Sequence, residues 1–373
     1  MRILFTCDYL GLNNPSGAGR YVLETGRALI ARGHEVRILA GGEEDDPATD
    51  GKDGYPPIAH FPFPVSRNRA RWLLGGGLVR ITRAAMELAK AWPPTHLVLN
   101  QPLSGDAIPD LGIPAAYLFH SPWSAEREEG VLRPLRNQIE RRVLARCGRA
   151  VVLSDFMRGE LTKTHPGLDL KIEKIPGGAD LARFAFNSGP GKSRPTLLTV
   201  RRLVPRMGLE VLVDAMALLR SRYPEALLII AGRGPLEPAL KLKVAQLGLE
   251  PQVRLAGFLP EAALPAALGG ADLFVMPSER LEGFGMVIPE AFACGTPVLG
   301  TPVGAIPEVL GAFDASLILP EFSAKALADG MASMLSQPGR LAALRPACRA
   351  HAEKHFDWDR AAGQLEAFLQ GPQ

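Results

Sequence analysis

Two acids eight positions apart, Glu282 and Glu290, lie in the stretch 277–310, PSERLEGFGMVIPEAFACGTPVLGTPVGAIPEVL. Between them sit Gly283, Phe284, Gly285 and Met286. The run from Ala271 to Met276, apolar apart from Asp272, reads as a buried parallel strand, and helical spacing of apolar residues resumes at Val287, Ala291 and Cys294. Pro289 has no N–H to give to a helix interior, so it belongs in a first turn, and the helix starts between Met286 and Ile288. The amides of Gly283 to Gly285 then lie ahead of the positive end of a helix, where anions and sugar hydroxyls are well received. Glu282 falls in the loop and Glu290 in the first turn. Their carboxylates can contact opposite ends of one elongated polar ligand. Taken bare, this spacing is shared by many solvated pairs, and its weight comes from the strand, glycine turn and helix around it.

Other positions have chemistry of the same kind. Ser16-Gly17-Ala18-Gly19 feeds an amphipathic helix, with Ser16 as a cap and the glycine amides as an anion cradle. His120 ends an apolar run, Ala115 to Phe119, at the carboxyl end of a strand, where α/β proteins bind ligands. Gly232 follows another such run, but Gly232-Arg233-Gly234 is only a fragment of a dinucleotide fingerprint. Ser154 reads simply as a helix cap.

The elements that must position these groups alternate throughout. Residues 3–7, 36–40, 96–99, 115–119 and 151–153 are expected strands of one sheet. Residues 197–200, 227–231, 253–256, 273–276, 298–299 and 317–319 are expected strands of a second. Apolar runs separated by helices imply parallel strands covered on both faces, and right-handed crossovers make each sheet doubly wound. The fold class is therefore α/β, with two Rossmann-like domains. The glycine- and proline-rich NSGPGKSRP at 187–195 reads as a linker between 1–186 and 196–353, with 354–373 as a terminal helix. The 373 residues, 47% of them apolar and 22% charged, suffice for two cores. A net charge of +3 argues against a dedicated nucleic-acid binder. The four cysteines, Cys7, Cys147, Cys294 and Cys348, are isolated and fit a reducing compartment. The N-terminus reads as a first strand and not as a signal peptide.

The frame Pro277-Ser278, Glu282-Gly283-Phe284-Gly285, Pro289-Glu290-Ala291, Cys294-Gly295-Thr296-Pro297 and Gly304-Ala305-Ile306-Pro307-Glu308 resembles the donor-binding half of family 4 retaining glycosyltransferases. That resemblance extends over most of the chain and implies the GT-B fold, two domains facing a cleft, with the last helix crossing back to the first domain. It implies a nucleotide-diphosphate sugar as donor, with no cofactor and no metal, and a hydroxyl acceptor bound by the first domain. Glu290 would hold the ribose. Glu282 and the amides of Phe284 and Gly285 would hold the sugar, and His120 would contact it. Arg202 matches the arginine that clasps the diphosphate, with Gly17, Gly19 and the Gly232 loop nearby. The lysine of that clasp is replaced by Met207, and a thioether donates nothing to a phosphate. Arg206, next to it, is expected to point elsewhere on the turn yet is counted, with Met207 and Met286, among the donor-binding positions, and Met207→Lys is expected to tighten nucleotide binding.

Three other readings stand beside the transferase: another enzyme class on the same fold, a dinucleotide-dependent oxidoreductase that lacks its fingerprint, and a non-catalytic sugar-nucleotide binder, motivated by Met207. Two segments, 67–90 and 131–149, each set six basic residues against one acid. Both read as basic amphipathic helices, either solvated or lying on an anionic membrane. The expectation is a cytoplasmic protein, peripheral to the inner face of the membrane, with a lipid-linked or cell-envelope acceptor. The acidic stretch 43–53 reads as a solvated loop.

Overall fold

The computed structural model describes residues 1–10, 16–42, 51, 54–62, 76–125, 132–189 and 194–371. The described residues divide into two compact units, Met1–Pro176 with Trp358–Gln373, and Gly177–Asp357. Each is built on an all-parallel sheet.

The first unit has the strands β1 (Arg2–Cys7), β2 (Glu35–Gly42), β3 (Ile58–Pro62), β4 (His96–Leu99), β5 (Ala115–Phe119), β6 (Arg149–Val152) and β7 (Lys171–Lys174), in the order β3-β2-β1-β4-β5-β6-β7. Strands β3 and β7 were not foreseen. Their sequences, IAHFP and KIEK, lack the continuous apolar run that marks an interior strand, because each closes an edge. The second unit has β8 (Thr196–Val200), β9 (Leu227–Ala231), β10 (Val253–Gly257), β11 (Leu273–Met276) and β12 (Val298–Gly300), in the order β10-β9-β8-β11-β12. The sixth strand expected at 317–319 does not form. Ala315–Leu317 is a 3₁₀ turn, capped by Asp314, and Ile318 makes a single bridge to Gly300. Apolar character there serves burial (Leu317 and Leu319 are both in the core) rather than strand pairing.

The chain passes from the first unit to the second at Pro176/Gly177. Asn187, in the segment read as a linker, is bound within the second unit. Its amide donates to the Cys294 carbonyl and its carbonyl accepts from Arg345 Nε. Residues 190–193 of that segment lie outside the described residues.

The terminal helix Trp358–Gln370 belongs to the first unit. Trp358 packs edge-on against Tyr21, at 5.5 Å between ring centroids, and Arg32 pairs with Asp359 and Glu366 at 3.0 and 2.9 Å. Phe356, two residues earlier, packs instead on Phe284 in the second unit, at 6.0 Å. Phe356 and Trp358, two residues apart, thus belong to different units.

Candidate active site

In the second unit the site is built at the carboxyl ends of β8 and β11. The helix after the glycine turn spans Val287–Ala293, with Met286 at its cap position and Pro289 in its first turn, as the missing N–H requires. Gly285 has φ of +79°, a conformation that side chains disfavour, and this lets the chain turn from the loop into that helix. Phe284 is buried.

Glu282 is held from several sides. Its Oε2 accepts from the Arg201 guanidinium and, at 3.0 Å, from Ser278 Oγ. Its carbonyl accepts from the Ala305 amide at 2.8 Å. Leu281, just before it, has φ of +53°, the only positive value at a non-glycine among the described residues. Such strain persists only where surrounding contacts impose it, and here Arg206 Nη1 donates to the Leu281 carbonyl at 3.0 Å. Burial acts to raise the Glu282 pKa. The charge and hydrogen bond of Arg201, the Ser278 hydroxyl and the charge of Arg206 outweigh it and hold the carboxyl below its ordinary value.

The arginine beside Glu282 is thus Arg201 and not Arg202. Arg202 is exposed, whereas the Arg201 side chain is only 6% exposed. Arg201 also lies against the Met207 and Met276 sulfurs, at 2.8 and 2.7 Å. Its main chain is fixed by the neighbouring loop: the Arg201 amide donates to the Ala231 carbonyl, and the Leu203 amide to that of Arg233, both at 2.9 Å. Gly232 permits this approach, since a Cβ on it would sit 1.8 Å from the Arg201 carbonyl oxygen. Its glycine identity is therefore explained by backbone packing. Met207 is buried at the end of a 3₁₀ turn, Pro205–Met207.

Glu290 departs from expectation. It was read as facing a ligand cleft from the first turn of its helix, and there it is only 3% exposed, among neighbours that are buried as well.

In the first unit, Ser16 caps the helix Gly17–Ala31 as expected, with its Oγ accepting from the Gly19 amide at 3.2 Å. That amide is committed to the cap, which corrects its reading as a free anion donor, while Gly17 is exposed. His120 follows β5. Its Nε2 lies 2.6 Å from Oδ1 of Asn100, which follows β4, and Asn100 Nδ2 donates to Cys7 Sγ at 3.4 Å. Tyr21 meets the imidazole edge-on at 5.7 Å. Burial pushes the His120 pKa down to about 4, so the ring is neutral at pH 7. Neutrality and the Asn100 acceptor together place the proton on Nε2 and leave Nδ1 as an acceptor. Asp8, after β1, caps the helix Pro102–Ala107 by accepting from the Ser104 amide at 2.6 Å. The loop after His120 is pinned from below: the Trp123 amide donates to buried Glu140, which also takes bonds from Tyr117 and His165.

Sequence reasoning missed Arg201, Ser278, Asn100 and Asp8. The rule that singled out His120, position at a strand's carboxyl end, would have found Arg201, Asn100 and Asp8 as well. Ser278 enters only as part of the Pro277-Ser278 frame, with no role attached.

The basic segments divide. Arg67, Arg69 and Arg71 lie outside the described residues, as does nearly all of 43–53. The helix Arg133–Cys147 is not the free basic face expected. Arg142 pairs with Asp106 at 2.9 Å, Arg141 donates to the Pro166 carbonyl, and Arg146 donates to the carbonyls of Ile108 and Gly105. Arg149, just beyond, donates to the carbonyls of Leu369 and Gly371. Among the described residues no helix is long and apolar enough to cross a membrane.

Known proteins share this architecture and sequence. The family profile "Glycosyltransferase Family 4" matches residues 15–183, and "Glycosyl transferases group 1" matches residues 182–355. The chain is 27% identical over 369 residues to a GDP-mannose-dependent alpha-(1-6)-phosphatidylinositol monomannoside mannosyltransferase of Mycolicibacterium smegmatis, covering 92% of each. It is 28% identical to a phosphatidyl-myo-inositol mannosyltransferase of Mycobacterium leprae, covering 98% of this chain and 95% of that one. A solved structure of sucrose-phosphate synthase from Thermosynechococcus elongatus superposes with a TM-score of 0.82 at 21% identity, covering 99% of this chain and 98% of that one, which places both units in the GT-B fold. With its two halves matched in sequence by the paired profiles and in architecture by that fold, the chain belongs to glycosyltransferase family 4.

Proposed function

We propose that this glycosyltransferase moves a hexose, with retention at the anomeric carbon, from a nucleoside diphosphate sugar to a hydroxyl of a lipid-linked or cell-envelope acceptor. GDP-mannose is the first donor to test, because the relatives include a GDP-mannose-dependent mannosyltransferase. The observation that carries this reading is Glu282, a carboxylate held ionised at the carboxyl end of β11 by Arg201 and Ser278.

In this reading Glu282 and the Phe284 and Gly285 amides accept and donate hydrogen bonds to the sugar, and Glu290 takes the ribose hydroxyls. The bond from C1 to the phosphate oxygen breaks, and its electron pair leaves with the diphosphate. Arg202 and Arg206 supply positive charge to that leaving group, with no metal required. The acceptor oxygen bonds to C1 on the face the phosphate leaves, and its proton passes to the departing phosphate oxygen. His120, neutral and anchored by Asn100, offers a ligand at the carboxyl end of β5 a hydrogen bond rather than a charge.

A membrane-surface role is supported by one helix, Gly77–Ala91. Val79 and Met86 are exposed at 70% and 57%. With Lys90, and with Arg83, which pairs with Glu87 at 2.8 Å, they follow the helical repeat on one face. Such a face suits an anionic bilayer and hence a phosphatidylinositol-type acceptor, the kind named for the relatives.

The test is transfer from GDP-mannose, with UDP-glucose as the comparison donor, to phosphatidylinositol in anionic vesicles, followed by NMR of the product's anomeric proton. An α-linked product from an α-linked donor is expected. An inverted product would overturn retention, and turnover only with water-soluble acceptors would overturn the lipid acceptor.

A further inference from the structure

Position 207 leaves an apolar thioether beside the proposed donor site, yet that place is not without charge. The Arg201 guanidinium reaches across from the end of β8, lies 2.8 Å from Met207 Sδ and pairs with Glu282. It is nearly buried, its amide donates to the Ala231 carbonyl while the Leu203 amide donates to that of Arg233, and Met276 backs it from the strand below. A buried cation costs desolvation, and one acid repays it only when further bonds complete the geometry. Two thioether sulfurs are weak acceptors and leave much of the guanidinium's five-donor fork unsatisfied. A guanidinium fork with donors to spare suits a second anion, and it suits a phosphate best of all.

We infer that Arg201 is a donor-binding residue. It supplies the positive charge that Met207 cannot, holding Glu282 ionised before binding and bridging Glu282 to the donor's diphosphate afterwards. The assignment rests on the nucleotide-sugar reading above and adds to it a residue that the resemblance did not point to. It also removes the ground for a non-catalytic chain, since the cation is relocated rather than lost.

The test is calorimetric titration of GDP and GMP into wild type, Arg201→Met, Met207→Lys and the double variant Arg201→Met/Met207→Lys, with the unfolding midpoint of each. Arg201→Met should weaken GDP binding about tenfold to a hundredfold and weaken GMP, which lacks the second phosphate, far less. Met207→Lys alone puts an ammonium against the guanidinium and should lower the unfolding midpoint. The double variant restores one cation to the same place and should recover most of the GDP affinity. If Arg201→Met does not fold, the double variant and Arg201→Lys carry the comparison, and both should keep a GDP preference over GMP. Equal losses for GDP and GMP, or a folded double variant that binds GDP no better than Arg201→Met or, where that variant does not fold, shows no preference for GDP over GMP, would overturn the assignment. A wild-type chain that binds neither GDP nor UDP would overturn the donor reading first, and this inference with it.

Discussion

Asn100 fixes the tautomer of His120. The 2.6 Å contact between Asn100 Oδ1 and His120 Nε2, with Asn100 Nδ2 turned to Cys7, joins the ends of β1, β4 and β5. His120 is held near pKa 4 in the fold, against 6.5 when free. Its depressed value means that the unfolded chain binds the proton first. The stability this group contributes is therefore complete above about pH 6.5 and is lost as pH falls towards 4. His351, also lowered to about 4, adds to the same window. Unfolding midpoints should drop between pH 6.5 and 4, and His120→Asn should flatten part of that slope. An imidazole resonance of His120 titrating near 6.5 in the folded protein would refute this.

Glu282→Gln should lower turnover by about 10²–10³-fold. It should also cost about 1–3 kcal/mol of stability, because Arg201 loses its charged partner. Glu282 has a depressed pKa, so its contribution is present above about 4.5 and lost as pH falls below that. Steady-state kinetics and thermal unfolding on one preparation check both effects. Wild-type turnover would remove Glu282 from the site.

Glu290→Gln should act chiefly on KM for the donor, since the ribose is bound in ground state and transition state alike. A fall in turnover at unchanged KM would mean that this buried acid does something other than hold the nucleotide.

Gly232→Ala should cost at least about 2 kcal/mol, because its new methyl group would overlap the Arg201 carbonyl and push that strand end away. Donor affinity should fall with it. A variant as stable as wild type would show that the 201–203 backbone can move without penalty.

Binding to anionic vesicles should weaken with rising salt, and Val79→Glu/Met86→Glu should abolish it while Arg142→Glu should not, because Arg142 is spent on Asp106. Sedimentation with vesicles at low salt decides this. Loss of binding with Arg142→Glu alone would shift the surface to the neighbouring helix.

Much of this was legible in the sequence. Continuous apolar runs revealed the interior strands, and Pro289 located the start of its helix to within a residue. Edge strands β3 and β7 were not legible, because an edge needs no apolar run. The Arg201–Glu282 pair was hidden for a different reason. Sequence shows that two arginines are adjacent, but which of them turns inward depends on the Gly232 loop, which grips the backbone from a distant strand. The internal use of Arg142 and Arg146 depends likewise on partners far along the chain.

The bridge between Ala179 and Asp357 brings the two ends of the second unit together. That unit is one uninterrupted span inserted into the first, whose own chain resumes only at Trp358. On a ribosome the order of completion is therefore reversed from the order of synthesis. The inserted span can close as soon as Asp357 has emerged. The unit begun at Met1 must wait for Trp358 to reach Tyr21, and for the Leu369 and Gly371 carbonyls to reach Arg149, before its packing is whole.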